Sequence, residues 1–408
     1  MTGVLVLNRF PFSRAPYQAW LGEGVQVRVI TRPGSVDIDA AAENFKVVDN
    51  YDSSGEVEDL AVTWYREQSY AHILALSEYD ILRAARLREI LGLPGQNYKS
   101  ALAFRDKILM KDYWATADLP VTPYAVVDTA TDLIEFAALH GFPLVMKPRR
   151  AAGSRGVSVI QNRQQLSAWL KNVWSVPLGE MPAWMVEKFV HGQMMHVDGL
   201  LTADRMEIAW PSTLTSQLDY HNGNPTFSVH LDAADPAVAE ARSVVQAALR
   251  ALPCPDLTIF HAEIWRLNDN SFLLNEIASR LGGGKIRATI TAAFGTDMVQ
   301  RYVQAAVMPD RFAAHIPAAV PRRPAGFVTI PPATGTVVSV ANIPERLRNS
   351  LIEASVTAKP GQTFAEGAVS AADTMAAAVA IGENRMEVMT RLNNFVEWSN
   401  GAISYGAL

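Results

Sequence analysis

Short apolar runs separated by amphipathic stretches set the pattern of the first hundred residues. GVLVL (3–7), VQVRVI (25–30) and HILAL (72–76) lack polar–apolar alternation and read as buried parallel strands. After Asp80, a candidate N-cap, ILRAARLREILGLPG places Leu82, Leu87, Ile90 and Leu91 near one helical face, and Gly92 with Pro94 ends it. Strands alternating with helices predict an open parallel α/β unit over residues 1–98. No G-x-G-x-x-G follows the first strand, so a dinucleotide fold is disfavoured there.

The texture then changes. ALAFRDKILMKDYWATADLP reads as one helix within about 100–125. FPLVMKP, GVSVI, AWMVEKFV and MMHVDGLL, with a helix around 164–173, predict an antiparallel α+β piece over 143–200. Residues 205–235 are too polar and broken to assign. A helix over about 235–252, a hairpin over 261–280 and a helix near 285–307 follow. The proline-rich FAAHIPAAVPRRPAG (312–326) marks a boundary, after which GFVTIPPATGTVVSV and NRMEVMTRLNNFVEWSN predict strands and a terminal helix.

Composition narrows the class. The 408 residues are 49% apolar and 19% charged, with a net charge of −5, enough for a large core and unlike a dedicated nucleic-acid binder. Cys254 is the only cysteine, which rules out an internal disulfide and is compatible with a reducing cytoplasm. The N-terminal MTGVLVLNRFPFS has no basic stretch ahead of its apolar run, and no apolar run approaches the roughly 18 residues of a membrane span.

The hairpin HAEIWRLNDNSFLLNEIASR carries two carboxylates. A symmetric turn facing Leu267 with Phe272 places Glu263 directly opposite Glu276, with Cβ atoms about 4.5–5.5 Å apart. Like charges so placed need a cation or a shared proton, and hard divalent cations prefer carboxylate oxygen. The plainer reading is a solvated sheet face. Four further segments carry chemistry. In VMKPRRAAGSRGVSVI, Lys147 precedes a loop of small residues, including Ser154, Arg155 and Gly156, whose backbone can approach an anion, or which is an ordinary hairpin. In WMVEKFVHG, a strand ends at Glu187, Lys188, Phe189 and Val190, able to meet a base edge or to lie at a sheet edge. Lys107 in FRDK sits one helical turn from Lys111, as a solvated basic face would. Arg280 and the glycines of SRLGGGKI offer an anion grip before a helix.

In this order, the segments resemble the ATP-grasp superfamily over roughly residues 1–310, and the tail after 325 resembles its biotin-carboxylase-like branch. Within that branch the chain is most similar to carboxylate–amine ligases of the L-amino-acid (dipeptide) type. The resemblance implies an N-terminal α/β domain (1–98), an ATP-grasp domain (99–310) with a small antiparallel lid (about 125–200) and a C-terminal α+β extension (325–408). It implies ATP and Mg²⁺ as cofactors. Lys107, Lys147 and the loop bearing Ser154, Arg155 and Gly156 would meet phosphates. Glu187 to Val190 would meet adenine, and His196 the ribose. Glu263 and Glu276 would hold Mg²⁺, and Arg280 would steady the transferred phosphoryl group. Gly282, Gly283, His221 and His230 are substrate-pocket candidates. Many relatives read Glu-x-Asn-x-Arg where this chain has Glu276-Ile277-Ala278-Ser279-Arg280, and Asn275 or water is the candidate replacement ligand. The implied reaction joins a carboxylate to an amine through an acyl phosphate, between amino acids or amino-acid-like substrates, with a homodimer as the implied assembly and no nucleic-acid or membrane partner. The alternatives are a bicarbonate-using carboxylase and a nucleotide-binding protein without turnover.

Overall fold

The computed structural model describes residues 2–37, 44–172, 184–203, 205–215, 220, 222–312, 318–368 and 373–407. The three apolar runs nearest the N-terminus lie in one parallel sheet. β1 (Thr2–Asn8) pairs with β2 (Val25–Thr31), β3 (Phe45–Val47) adds outside β2, and β4 (His72–Ala75) lies on the other side of β1. Alternation along β1 sends Val4 and Val6 into one apolar cluster and Leu5 and Leu7 into another, so both faces are covered.

The helix Ile81–Leu91 forms where expected, but on a different face: Ile81, Ala84, Ala85, Leu87 and Arg88 are buried and Ile90 is exposed. Asp80 does not cap it through its side chain, because the carboxylate is taken by Arg9 at 2.7 Å. The single helix expected after residue 100 is two, Tyr98–Arg105 and Lys107–Thr116. Asp106 breaks them: its extended backbone ends the first, and its carboxylate accepts the N–H groups of Ile108 and Leu109 to start the second.

A four-stranded antiparallel sheet follows. It contains β5 (Tyr124–Val127), β6 (Leu144–Pro148), β7 (Ser158–Ile160) and β8 (Trp184–Lys188), ordered β5-β8-β6-β7. Helices Ala130–His140 and Arg163–Asn172 supply Leu133, Phe136, Leu166 and Trp169 to its core. This antiparallel sheet falls in the segment expected to form a lid, about 125–200. Its pairing stops at Lys188, and the next strand belongs to another sheet.

That sheet has eight antiparallel strands: β9 (Gln193–Thr202), β10 (Arg205–Leu214), β11 (Thr226–His230), β12 (Leu257–Arg266), β13 (Phe272–Ala278), β14 (Ala325–Ile330), and two later strands. β15 (Gly335–Val340) leaves for a small sheet; β16 (Glu353–Val356) returns to the edge. β17 (Thr363–Phe364) pairs with β15, β18 (Ala376–Ile381) lies between β14 and β16, and β19 (Ile403–Gly406) completes the small sheet. The order is β13-β12-β9-β10-β11-β14-β18-β16. The extension expected from residue 325 is therefore hydrogen-bonded into the same sheet, through β11 and β14.

The stretch 205–235, unassigned from sequence, contains β10 and β11. β10 is buried along nearly its whole length, so it shows no alternation, and a bulge between Glu207 and Trp210, with Ile208 at φ 57°, shifts its register. The helix expected near 285–307 is divided at Gly295, which adopts a left-handed conformation, into Ile286–Phe294 and Met298–Val307. The terminal helix spans Arg385–Ala402. Among the described residues no helix is long and apolar enough to cross a membrane.

Candidate active site

Glu263 and Glu276 are direct cross-strand partners. The turn that leads to them is not the symmetric one expected. Arg266, not Leu267, faces Phe272, and Asn270 takes the left-handed position (φ 69°) of a turn closed by Leu267 N–H to Ser271 O at 2.8 Å. This sets the pairing one residue out. A bulge at Asn275 then adds one residue to β13 and brings Glu276 back opposite Glu263. Asn275 donates its amide to Glu263 at 3.0 Å, and Lys147 Nζ approaches the Asn275 carbonyl at 3.4 Å. Burial alone would raise the Glu263 pKa. Hydrogen bonds from His261 and Asn275, with the charge of Lys147, hold it down to about 2.

The lysines arrive from two elements. Lys147, near the end of β6, is 2.7 Å from Glu187 on β8, and Lys111 lies 2.9 Å from the other Glu187 oxygen. The helix begun by Asp106 presents Lys107 one turn before Lys111. Lys107 donates to Ala151 O at 2.8 Å and sits 3.2 Å from Glu276. Asp106 also binds Arg149 at 2.9 Å and Arg150 at 3.3 Å, which ties down the start of the loop 151–156. Gly153, Ser154 and Gly156 have φ of 67°, 58° and 74°, and Arg155 is exposed over the cavity. Ser154 is the non-glycine residue held there in the left-handed region.

Glu187, expected to meet a base edge, lines the cavity from a buried position. Its carboxylate is buried between two ammonium groups, and its role in the structure is as their counter-charge. Lys188 turns its ammonium to the carbonyls of His140 (2.9 Å) and Phe142 (3.1 Å), while Phe189 and Val190 line the cavity, partly buried.

Arg280 follows β13 and bonds Glu78, which follows β4 of the first sheet; Glu78 also bonds Arg105. The N-terminal unit thus fixes the arginine of the hairpin. Burial would raise the Glu78 pKa, but the two guanidinium groups hold it below the usual carboxylate range.

His196 lies behind this surface. Its ring is buried, with Nδ1 2.6 Å from Asp198 and Nε2 2.7 Å from Ser228, so neither nitrogen is available to a ribose in this arrangement. His261 Nδ1 is 2.9 Å from the other Asp198 oxygen, and its Nε2 is 3.5 Å from Glu263. Burial would raise the Asp198 pKa; His261 and His196 hold it well below the usual carboxylate range instead. His230 is buried, and burial pushes its pKa down to about 3. His221 lies outside the described residues. Gly282 and Gly283 line the cavity, and a Cβ on Gly282 would sit 2.6 Å from His261 Nδ1 and 2.4 Å from Ile286 Cδ1.

Lys107, Lys147, Glu263, Glu276, Arg280, residues 151–155 and residues 187–190 therefore line one cavity of about 2090 Å³, while Gly156 is not among its lining residues. Asn275 was named from sequence as a replacement ligand; Lys111, Glu78, Asp198 and His261 carried no site role there. His261 carried a usable signal: two residues before Glu263 on a strand, it shares that residue's face. The others depend on elements far apart in the chain.

The donors suit a hard divalent cation. Glu263, Glu276 and the Asn275 carbonyl supply only oxygen. Ala278 is buried against the core opposite His261 and adds no ligand.

Comparison with known proteins agrees with the geometry. Residues 113–284 match the family described as ATP-grasp domain. The chain is 23% identical over 293 residues to an L-arginine-specific L-amino acid ligase of Bacillus subtilis, covering 71% of this chain and 70% of that protein. The crystal structure of an L-amino acid ligase from Bacillus licheniformis superposes with TM-score 0.76 at 15% identity, covering 100% of this chain and 99% of the other. A biotin carboxylase domain from Hydrogenobacter thermophilus superposes with TM-score 0.68 at 14% identity, covering 99% and 90%. Residues 113–284 thus match an ATP-grasp domain, and the whole chain shares its fold with both structures.

Proposed function

We propose that the protein joins a carboxylate to an amine at the expense of ATP, with amino acids or amino-acid-like molecules as substrates. The observation that carries this reading is the cross-strand pair Glu263–Glu276, set in one cavity with Lys107, Lys147 and Arg280. The similarity to amino acid ligases supports the substrate class.

In this reading Lys107 and Lys147 neutralise ATP phosphate oxygens, and the loop 151–156 covers them with backbone N–H groups and Arg155. Glu263, Glu276 and the Asn275 carbonyl would hold Mg²⁺, which supplies neutralisation of phosphate charge. A substrate carboxylate oxygen attacks the γ-phosphorus, the bond to the bridging oxygen breaks, and ADP leaves. Arg280 grips the transferred phosphoryl group in the resulting acyl phosphate. The amine then attacks the acyl carbon, the C–O bond to phosphate breaks, and the amine loses its proton as the amide forms. No protein nucleophile is required; catalysis is positioning and charge compensation. Exclusion of water by the loop and lid protects the acyl phosphate from hydrolysis.

The test is phosphate release from Mg-ATP across a panel of amino acids, singly and in pairs, with mass detection of the product. Release that requires both substrates, together with a product at the mass of a dipeptide or amide, is the expected result. Absence of release across the panel overturns the reading, and release dependent on bicarbonate replaces it with a carboxylase.

A further inference from the structure

The register of the large sheet places polar residues in a transverse row. Glu276 pairs with Glu263, Glu263 with His196, His196 with Ser212, and Ser212 with His230, across five neighbouring strands. The adjoining row contains Ala278, His261 and Asp198. Asp198 joins the two rows. As a carboxylate it can only accept, so both histidines turn their Nδ1–H toward it, at 2.6 and 2.9 Å. It also accepts the backbone N–H of Gly282 at 3.3 Å. With Nδ1 committed, the other nitrogen of His261 is directed at Glu263, while His196 is braced by Ser228 on β11. The absence of a Cβ on Gly282 is what lets His261 lie directly under the glycine loop.

We propose that Asp198 is a positioning residue, acting through His261 to fix the carboxylate of Glu263 and through the Gly282 N–H to fix the loop that follows Arg280. One buried carboxylate thereby sets both the metal-facing side of the cavity and the glycine-lined wall. In this chain His261 steadies Glu263 from the position opposite Ala278, so orientation is supplied where the Glu-x-Asn-x-Arg pattern supplies a ligand. The inference rests on the proposed binding of a metal–nucleotide complex at Glu263 and Glu276.

The test measures Mn²⁺ binding in the presence of the non-hydrolysable analogue AMP-PNP, by electron paramagnetic resonance of free Mn²⁺, and AMP-PNP binding without metal by calorimetry. Asp198→Asn preserves shape but replaces one acceptor oxygen by a donor. It is expected to weaken Mn²⁺ binding tenfold or more while changing metal-free AMP-PNP binding less than twofold. His261→Gln, which cuts only the arm to Glu263, is expected to do the same. His196→Gln, which spares that arm, is expected to change Mn²⁺ binding less than threefold. Wild-type Mn²⁺ affinity in His261→Gln overturns the proposal, whether or not Asp198→Asn folds. Failure of the wild-type protein to bind Mn²⁺ with AMP-PNP overturns the metal–nucleotide reading itself, a result distinct from equal binding by wild type and variants.

Discussion

Lys111 lies 2.9 Å from Glu187, and the lysine is shut off from solvent altogether. With Lys147 on the opposite carboxylate oxygen, one acidic group compensates two basic ones. Removing one member of such a buried set costs about 3–5 kcal/mol, because the remaining charge stays desolvated and uncompensated. Glu187→Gln is therefore expected to lower the urea midpoint by an amount corresponding to a loss of that size, and to weaken ATP binding as Lys147 loses its anchor. Unchanged urea unfolding in that variant would falsify the assignment of Glu187 as counter-charge.

The same group gives a pH signature. Burial favours the neutral Glu187, but Lys111 and Lys147 hold its pKa at about 2, against roughly 4.3 for an unfolded glutamate. Because the folded value is lower, the stabilisation is fully present above the unfolded value and is lost as pH falls through the folded one. Stability should decline between about pH 4.5 and pH 2, with a smaller decline in Glu187→Gln relative to its own value at neutral pH. Parallel acid-unfolding curves for the two proteins would contradict this.

Asn275 occupies the bulge and bonds Glu263 at 3.0 Å. Asn275→Ala leaves the strand pairing available but removes that bond and one oxygen. Loss of a group that orients a metal-binding carboxylate costs about 10–100-fold in affinity. Titration of nucleotide-dependent Mg²⁺ activation should show a shift of that order at unchanged circular dichroism, and stripping the metal with EDTA should abolish turnover reversibly.

Arg280→Lys retains the charge but loses the planar fork that can hold Glu78 and a phosphoryl group together. Turnover should fall on the order of 10²-fold, with AMP-PNP affinity within about threefold of wild type. A comparable loss in both quantities would place Arg280 in ground-state nucleotide binding instead.

The local signals in the sequence were of unequal reach. The strand core of the first sheet, the lid segments and the terminal helix were legible because apolar runs and helix periodicity are properties of short windows. The pairing of Glu263 with Glu276 was also anticipated, but through a symmetric turn that does not form; an off-register turn and a bulge offset each other. β10 escaped notice because it is buried on both faces and interrupted at Ile208. Lys111 read as a solvated surface residue because its partner Glu187 is a distant strand residue. Asp198 offered no signal at all, since its partners His196, His261 and Gly282 come together only when β9 and β12 are neighbours.

The pairing of β11 with β14 has a consequence for dissecting the protein. A fragment ending near residue 312 would look, by its family match, like a self-sufficient unit. It would nevertheless expose the Thr226–Val229 ladder that β14 occupies in the whole chain, an open strand edge of the kind that recruits other chains. Such a fragment should aggregate, and the last eighty or so residues are better regarded as the closing strands of the eight-stranded sheet than as an appendage to it.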